Sequence, residues 1–294
     1  MAQPRLSECR APNALIIGAM KSSTTTLFNT LSFHPKIFVP KIKEPNFFAS
    51  TELQGIKDWA SYLKLFENAK TSQRVLLEAS TEYTRWPHSP NAAEKIRRIL
   101  GHPKLIYVMR DPVERTISHY FHSYFRGFYK ENTTLADAIR NDPVLIDTSR
   151  YHSQLCLYDN EFGRGAVLLL TADQLQDDFF DALLKVTDFL EIEPFDNSNV
   201  TNSIKNARDD LKSSGRVSKI LRNHPLLKIL TMRLPVQLKA VIKSIIPDMA
   251  PPPEPTQKDR EQILEKLEPD LRLLYARVGA LIDKWPSIKA LQDR

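Results

Sequence analysis

The stretch Asn13–Phe33, NALIIGAMKSSTTTLFNTLSF, decides the fold. Leu15, Ile16 and Ile17 form a short apolar run that reads as a fully buried strand. Gly18 and Ala19 allow a close backbone turn, and Thr24–Thr26 open a helix whose apolar side carries Leu27, Phe28 and Leu31. A helix start carries unpaired N–H groups and the positive end of the helix dipole, so this strand–turn–helix corner suits a phosphate or sulfate group. Lys21 adds a full positive charge there, and Ser22, Ser23, Thr24, Thr25 and Thr26 add hydroxyls. The same residues also make an ordinary Ser/Thr-capped corner with a surface lysine, and the corner by itself does not separate the two readings.

Working outward, Ile37–Val39 is a short strand ended by Pro40 and followed by KIKEPNFFAS, where Pro45 turns Glu44 away from helix and Phe47 and Phe48 anchor the segment. Asp58–Glu67 reads as a helix with Trp59, Tyr62, Leu63 and Phe66 on one side. Arg74–Ser80 is a second core strand that delivers Glu78 and Ser80 at its carboxyl end. A helix over Asn91–Leu100 and a third strand over Lys104–Arg110 follow. Pro112 suits the first turn of the next helix, Asp111 caps it, and Ser118 falls about two turns along.

This alternation predicts an α/β fold, a single domain with a central parallel sheet flanked by helices on both faces. Ligands of such sheets gather outside the carboxyl ends of the strands, which places Lys21, Glu78, Ser80 and Arg110 near a common rim. An arginine fork with a nearby hydroxyl, as in Arg110 and Ser118, matches phosphate oxygens.

The 294 residues carry 41 basic and 35 acidic side chains, a formal charge of +6, which suits an anionic ligand without demanding nucleic acid. The two cysteines, Cys9 and Cys156, form neither a disulfide framework nor a close metal-ligand pair, so no metal is expected and a reducing compartment is the simpler setting. The amino terminus lacks an apolar core of signal-peptide length and no run approaches a membrane span, so the expected location is cytoplasmic.

At these residues the chain resembles the sulfotransferases that use 3′-phosphoadenosine-5′-phosphosulfate (PAPS), whose domain has a P-loop-like fold. GAMKSSTTTL is similar to their 5′-phosphosulfate loop, usually K-S-G-T-T, and YVMRDPVERTISHY to their 3′-phosphate segment. KEPNFF and EASTEY resemble segments of the heparan-sulfate-type carbohydrate sulfotransferases and related bacterial enzymes. The likeness continues through SRYHSQLCLYDNEFGRGAVLLLTADQL and LEPDLRLLYARVGALIDKW, so it spans nearly the whole chain after an N-terminal extension of residues 1–12.

The resemblance implies that Lys21, with Ser22, Ser23, Thr24, Thr25 and Thr26, holds the 5′-phosphosulfate. It implies that Arg110 and Ser118 hold the 3′-phosphate, that Tyr151 lies near the cofactor, and that Gly215 and Arg216 belong to a late basic loop over that phosphate. Glu44 corresponds to a carboxylate proposed as base, giving in-line sulfuryl transfer to an acceptor hydroxyl, or to an amine. The acceptor is a carbohydrate, a lipid-like molecule or another small molecule. Two departures stand out. Ser23 replaces the loop glycine, which argues against a left-handed backbone there unless strain is accepted. Ala79 replaces a lysine that assists the relatives, leaving Lys43 or Lys41 to substitute or the acceptor to differ.

His119 and His122 flank Tyr120 and Phe121 on the helix after Arg110 and compete for the role of base, and Glu78 and Glu82 can also line the rim. Residues 213–255 form a basic amphipathic stretch and a proline-rich linker. They suit a lid or acceptor-side helices, packed surface helices, or, over 217–246, contact with a membrane surface. Two other classes remain open, a P-loop-like nucleotide kinase and a non-catalytic anion- or glycan-binding protein. Against the kinase, G-x-x-x-x-G-K-[ST] is absent, since no glycine directly precedes Lys21.

Overall fold

In the computed structural model, residues 10–49, 56, 58–195 and 251–293 are described. The five short apolar runs β1 (Ala14–Gly18), β2 (Ile37–Phe38), β3 (Val75–Ala79), β4 (Lys104–Met109) and β5 (Val167–Thr171) form one parallel sheet in the order β2-β3-β1-β4-β5. The chain begins at the sheet's centre with β1, crosses to one edge for β2, returns between the two for β3 and then crosses β1 to build outward through β4 and β5. The connections reverse on either flank of β1, so the loops leaving β1, β3 and β4 start from neighbouring strand ends, where α/β sheets place their ligands.

The helices of the described residues are α1 (Thr24–Leu31), α2 (Trp59–Lys64), α3 (Ala92–Leu100), α4 (Pro112–Phe125), α5 (Leu135–Asn141), α6 (Val144–Asp147), α7 (Tyr151–Phe162), α8 (Gln174–Asp177), α9 (Phe179–Phe189), α10 (Gln257–Val278) and α11 (Pro286–Gln292). They cover both faces of the sheet, which is why its strands are apolar throughout instead of alternating with polar residues. Leu15 and Ile17 of β1 and Leu105, Tyr107 and Met109 of β4 face a core shared with α3, α4, α7 and α10. Ala14, Ile16, Ile106 and Val108 face the opposite core, shared with α1 and α9.

The expected strands are all present: β1 extends one residue beyond Leu15–Ile17 at each end, and β2, β3 and β4 are trimmed by one or two residues. The helix expected over Asp58–Glu67 runs Trp59–Lys64, and Asp58 caps it by accepting from Ser61 N at 2.8 Å. The helix α1 stops at Leu31, short of His34, which is buried with its Nε2 2.9 Å from Glu193 O.

The carboxyl-terminal helices brace the half of the sheet that carries β4. Asp270 of α10 accepts from the main-chain N–H groups of His152 and Ser153 at 3.0 and 2.8 Å, capping the first turn of α7, where a carboxylate also meets the positive end of the dipole. Arg277 forms a two-pronged ion pair with Asp159 at 2.6 and 2.8 Å. Asp111 caps α4 through Oδ1, which accepts from Val113 N and Glu114 N, while its Oδ2 accepts from Ser287 N of α11 at 2.9 Å.

Gly18 closes β1 under tight constraint. A Cβ at this position would lie 1.9 Å from Thr84 Oγ1 and 3.0 Å from a ring carbon of Tyr107, and Thr84 is itself buried and donates to Ile17 O at 3.0 Å. Gly18→Ala is expected to destabilise the fold by about 1–3 kcal/mol through overpacking, read as a lowered midpoint in urea unfolding.

Candidate active site

The corner after β1 is held against β4. Ala19 N donates to Val108 O at 2.7 Å, and Ser22 N donates to Ala19 O at 3.2 Å. Lys21 and Ser23 both take left-handed backbone conformations, with φ of 70° and 65°. This corrects the expectation for Ser23, which occupies the glycine-like conformation despite its side chain and accepts a strain of about 1–2 kcal/mol. Left-handed residues set between right-handed ones turn successive N–H groups toward one concave side, a backbone pattern suited to anions.

Ser22 is fully buried, and its hydroxyl adjoins that of Tyr151 without meeting hydrogen-bond geometry and has no other partner. A buried polar atom left unpaired costs about 1–3 kcal/mol, a cost that a bound oxyanion would remove. Thr24 is buried, Lys21 and Thr26 are half-buried, and Ser23 and Thr25 are exposed at the mouth of the corner.

Arg110 leaves the end of β4 half-buried, two residues beyond Val108, as Lys21 lies two residues beyond Ala19. The Ala19–Val108 hydrogen bond therefore ties together the two main-chain segments that lead to these cations. Tyr151, the first residue of α7, is fully buried. Its hydroxyl donates to Arg110 O at 2.9 Å and accepts from Arg110 N at 3.4 Å, and burial pushes its pKa up to about 12. Tyr151 thus links the β4 end to the Ser22 side of the β1 corner. Ser118 is half-buried, roughly 9 Å along α4 from Pro112. Gly215 and Arg216, and residues 217–246, lie outside the described residues.

Glu44 is brought to the carboxyl end of β3 on a loop with left-handed residues at Glu44 and Asn46 (φ 62° and 54°). Glu44 N donates to Ala79 O at 3.0 Å. Its carboxylate Oε2 accepts from Thr81 N at 2.7 Å and Thr81 Oγ1 at 3.2 Å, and Oε1 pairs with Lys43. The neighbouring Asn46 N donates to Ser80 Oγ at 3.1 Å. The side chain at position 79 is fully buried, and the cation beside Glu44 comes from Lys43.

Glu78 does not reach the rim, contrary to expectation. Strand alternation points it into the core, where it is completely buried and accepts from Tyr62 OH at 2.7 Å and Tyr83 OH at 2.9 Å. Burial raises its pKa from 4.5 to about 7. The tyrosines above it hold the Glu44 loop: Phe47 stacks on Tyr62 with ring centroids 4.4 Å apart, and Phe48 N donates to Tyr83 OH at 3.4 Å.

A cavity of about 720 Å³ opens between Met20, Asn46 and Arg85 and the face of α4 that carries His119, His122 and Arg126. Those three lie at helical spacings of three, four and seven, hence on one face. His119 is buried, with Arg115 Nη1 3.2 Å from its Nδ1, and burial lowers its pKa to about 2 with help from the charges of Arg115, Arg85, His122 and Lys21. Burial and these cations disfavour protonation of the ring and make it a weak base, whereas His122 is half-buried at the cavity wall.

The sequence reading missed Arg115, which is fully buried. Its Nε donates to Ser149 Oγ at 2.5 Å, Nη2 donates to Leu145 O, and burial lowers its pKa to about 10. Its spacing of four from His119 was the available signal. Thr81, the anchor of Glu44, was visible only as part of EASTEY. Among the described residues no group of His, Cys, Asp and Glu could hold a metal ion, and no helix is long and apolar enough to cross a membrane.

The Sulfotransferase domain family matches residues 11–224. The chain belongs to the sulfotransferase family. That family draws its sulfuryl group from PAPS. The chain is 37% identical over 112 residues to the membrane-associated sulfotransferase kil1 of Dictyostelium discoideum, covering 38% of this chain and 23% of that protein. It is 29% identical over 189 residues to the mouse heparan sulfate glucosamine 3-O-sulfotransferase 3B1, covering 62% and 46%. It thus spans less than half the length of either. The fold matches a sulfotransferase from Alicyclobacillus acidocaldarius with a TM-score of 0.64 at 21% identity, over 92% of this chain and 96% of that one. It matches mouse sulfotransferase SULT7A1 complexed with PAP with a TM-score of 0.52 at 16% identity, over 90% and 84%.

The buried Glu78 has a consequence for stability. A carboxyl whose folded pKa lies above its unfolded one contributes stability that is fully present below pH 4.5 and lost as the pH rises through about 7. The loss is on the order of 3 kcal/mol. Glu78→Gln keeps an acceptor for both tyrosines and is expected to remove this fall between pH 4.5 and 7, measured as unfolding free energy against pH for the two proteins.

Proposed function

We propose that the protein transfers a sulfuryl group from PAPS to a hydroxyl of a polar acceptor, most simply a carbohydrate, with Glu44 as general base. The observation that carries this reading is that Tyr151, bonded to the main chain of Arg110, adjoins the unpaired Ser22 hydroxyl beside left-handed Lys21. A donor bearing one anionic group at each end of an adenosine fits this arrangement. Lys21, Ser22, Ser23, Thr24, Thr25 and Thr26 would take its 5′ end, and Arg110, with Ser118, its 3′-phosphate. Bound there, the donor supplies a sulfuryl group whose bond to a phosphate oxygen breaks as the acceptor oxygen bonds to sulfur.

The chain's own residues do the rest. Glu44 accepts the acceptor's proton, and Thr81 and Lys43 hold its carboxylate in place. General-base help of this kind contributes about 10²–10⁴-fold in rate. Lys21 and the corner N–H groups stabilise the charge developing on the departing phosphate oxygen, where one positioned donor contributes roughly 3 kcal/mol. The acceptor occupies the cavity beside His122, whose described lining includes Asn46, Arg85 and Arg126. Those side chains suit a polyhydroxylated molecule better than an apolar one. The similarity to the mouse heparan sulfate glucosamine 3-O-sulfotransferase 3B1 agrees with that choice.

Two measurements test the reading. Calorimetry should show 3′,5′-adenosine bisphosphate binding well ahead of AMP and ATP, and Arg110→Ala should weaken the bisphosphate about 10- to 100-fold while leaving AMP nearly unchanged, since a charge-assisted phosphate contact is lost. Tighter ATP binding would favour a kinase. Glu44→Gln should keep bisphosphate affinity and lower kcat by about 10²–10⁴-fold, measured with labelled PAPS and mass detection of products heavier by one sulfo group. Wild-type turnover in that variant removes Glu44 from the mechanism.

A further inference from the structure

His119 is set apart from the other groups around the cavity by what holds it. Its ring is buried at the cavity wall, and its Nδ1 lies 3.2 Å from Nη1 of Arg115. A guanidinium has N–H donors and no acceptor, so an Nδ1 that pairs with it must present its lone pair. The ring proton of a neutral imidazole then resides on Nε2. Arg115 cannot swing away to relax this requirement, because Ser149 Oγ and Leu145 O hold its remaining prongs and it is fully buried.

We propose that His119 is a fixed Nε2–H donor that holds an oxygen of the acceptor in the cavity, and that Arg115 is the positioning residue that sets this tautomer. The proposal rests on the assignment of the cavity to the acceptor. The charges around the ring are Arg115 and His122 on its own helix, Arg85 from the segment after β3 and Lys21 from the corner after β1. All are cationic or can become so, and each disfavours a second proton on the ring. A neutral donor in this setting orients an acceptor oxygen without competing with Glu44 for the proton. That divides the labour between two groups, Glu44 for proton removal and His119 for holding the nucleophile's neighbourhood.

Nitrogen-15 NMR of the histidine-labelled wild-type protein reads the tautomer directly. The expected His119 signal shows a protonated Nε2 and a bare Nδ1, unchanged from pH 5 to 8. An Nδ1–H tautomer, or titration within that range, overturns the proposal whatever reaction the protein catalyses. The functional arm uses heparan sulfate as the acceptor probe. His119→Phe, which keeps the ring's bulk and loses the donor, is expected to lower kcat/KM for this acceptor about 10- to 100-fold through a raised KM, with affinity for 3′,5′-adenosine bisphosphate unaltered. His119→Gln, which restores an N–H donor, is expected to recover most of that loss with no change in the shape of the pH profile. A Phe variant with wild-type kcat/KM refutes the donor role. If wild-type protein does not sulfate heparan sulfate, the carbohydrate assignment fails, and the NMR outcome decides the tautomer independently.

Discussion

The Tyr151 hydroxyl is the contact on which the site's geometry depends. It accepts a hydrogen bond from the main-chain N–H of Arg110 and donates one to the carbonyl of the same residue, which fixes the backbone where β4 ends. Its other side faces the Ser22 hydroxyl of the corner after β1. Two loops far apart in sequence, each carrying a cation, are thereby spaced by one rigid aromatic ring. The ring is in turn held from behind by packing against Tyr107 and Trp285. Positioning by a buried ring costs little side-chain entropy on ligand binding, because that entropy is already lost when the chain folds.

Strain is concentrated at the corner after β1 and on the loop that carries Glu44. Lys21, Ser23, Glu44 and Asn46 all have positive φ, a conformation that side chains other than glycine disfavour. Neighbouring contacts hold these segments: Ala19, before the corner, is bound to Val108, Glu44 to Ala79 and Thr81, and Asn46 to Ser80. Sites that must present several main-chain N–H groups to one ligand accumulate such residues, and the surrounding fold supplies the stability that they lose.

Much of this was legible in the sequence, for physical reasons that differ by element. The strands were readable because helices on both faces of the sheet demand unbroken apolar runs such as LIIG and LIYVM. The cap at Asp111 was readable because a short carboxylate before a helix has one common use. Glu78 was misplaced because a strand end gives no hint of which face is sealed. The burying groups, Tyr62 and Tyr83, come from segments on either side of it. The conformation of Ser23 ran against local preference because tertiary hydrogen bonds outweigh a penalty of about 1–2 kcal/mol. Arg115 escaped notice because a buried arginine satisfied by a serine hydroxyl, a carbonyl and an imidazole lacks the acidic partner that usually marks one.

The brace formed by α10 and α11 bears on how the protein is made. Asp270 completes the first turn of the helix that begins with Tyr151, and the N–H of Ser287 completes the second oxygen of Asp111 next to Arg110. A nascent chain leaving the ribosome displays the corner after β1 and the end of β4 long before these late partners emerge. Until they arrive, the loop after β4 and the first turn of α7 lack this backing, so their geometry is completed only after the ribosome has passed Ser287.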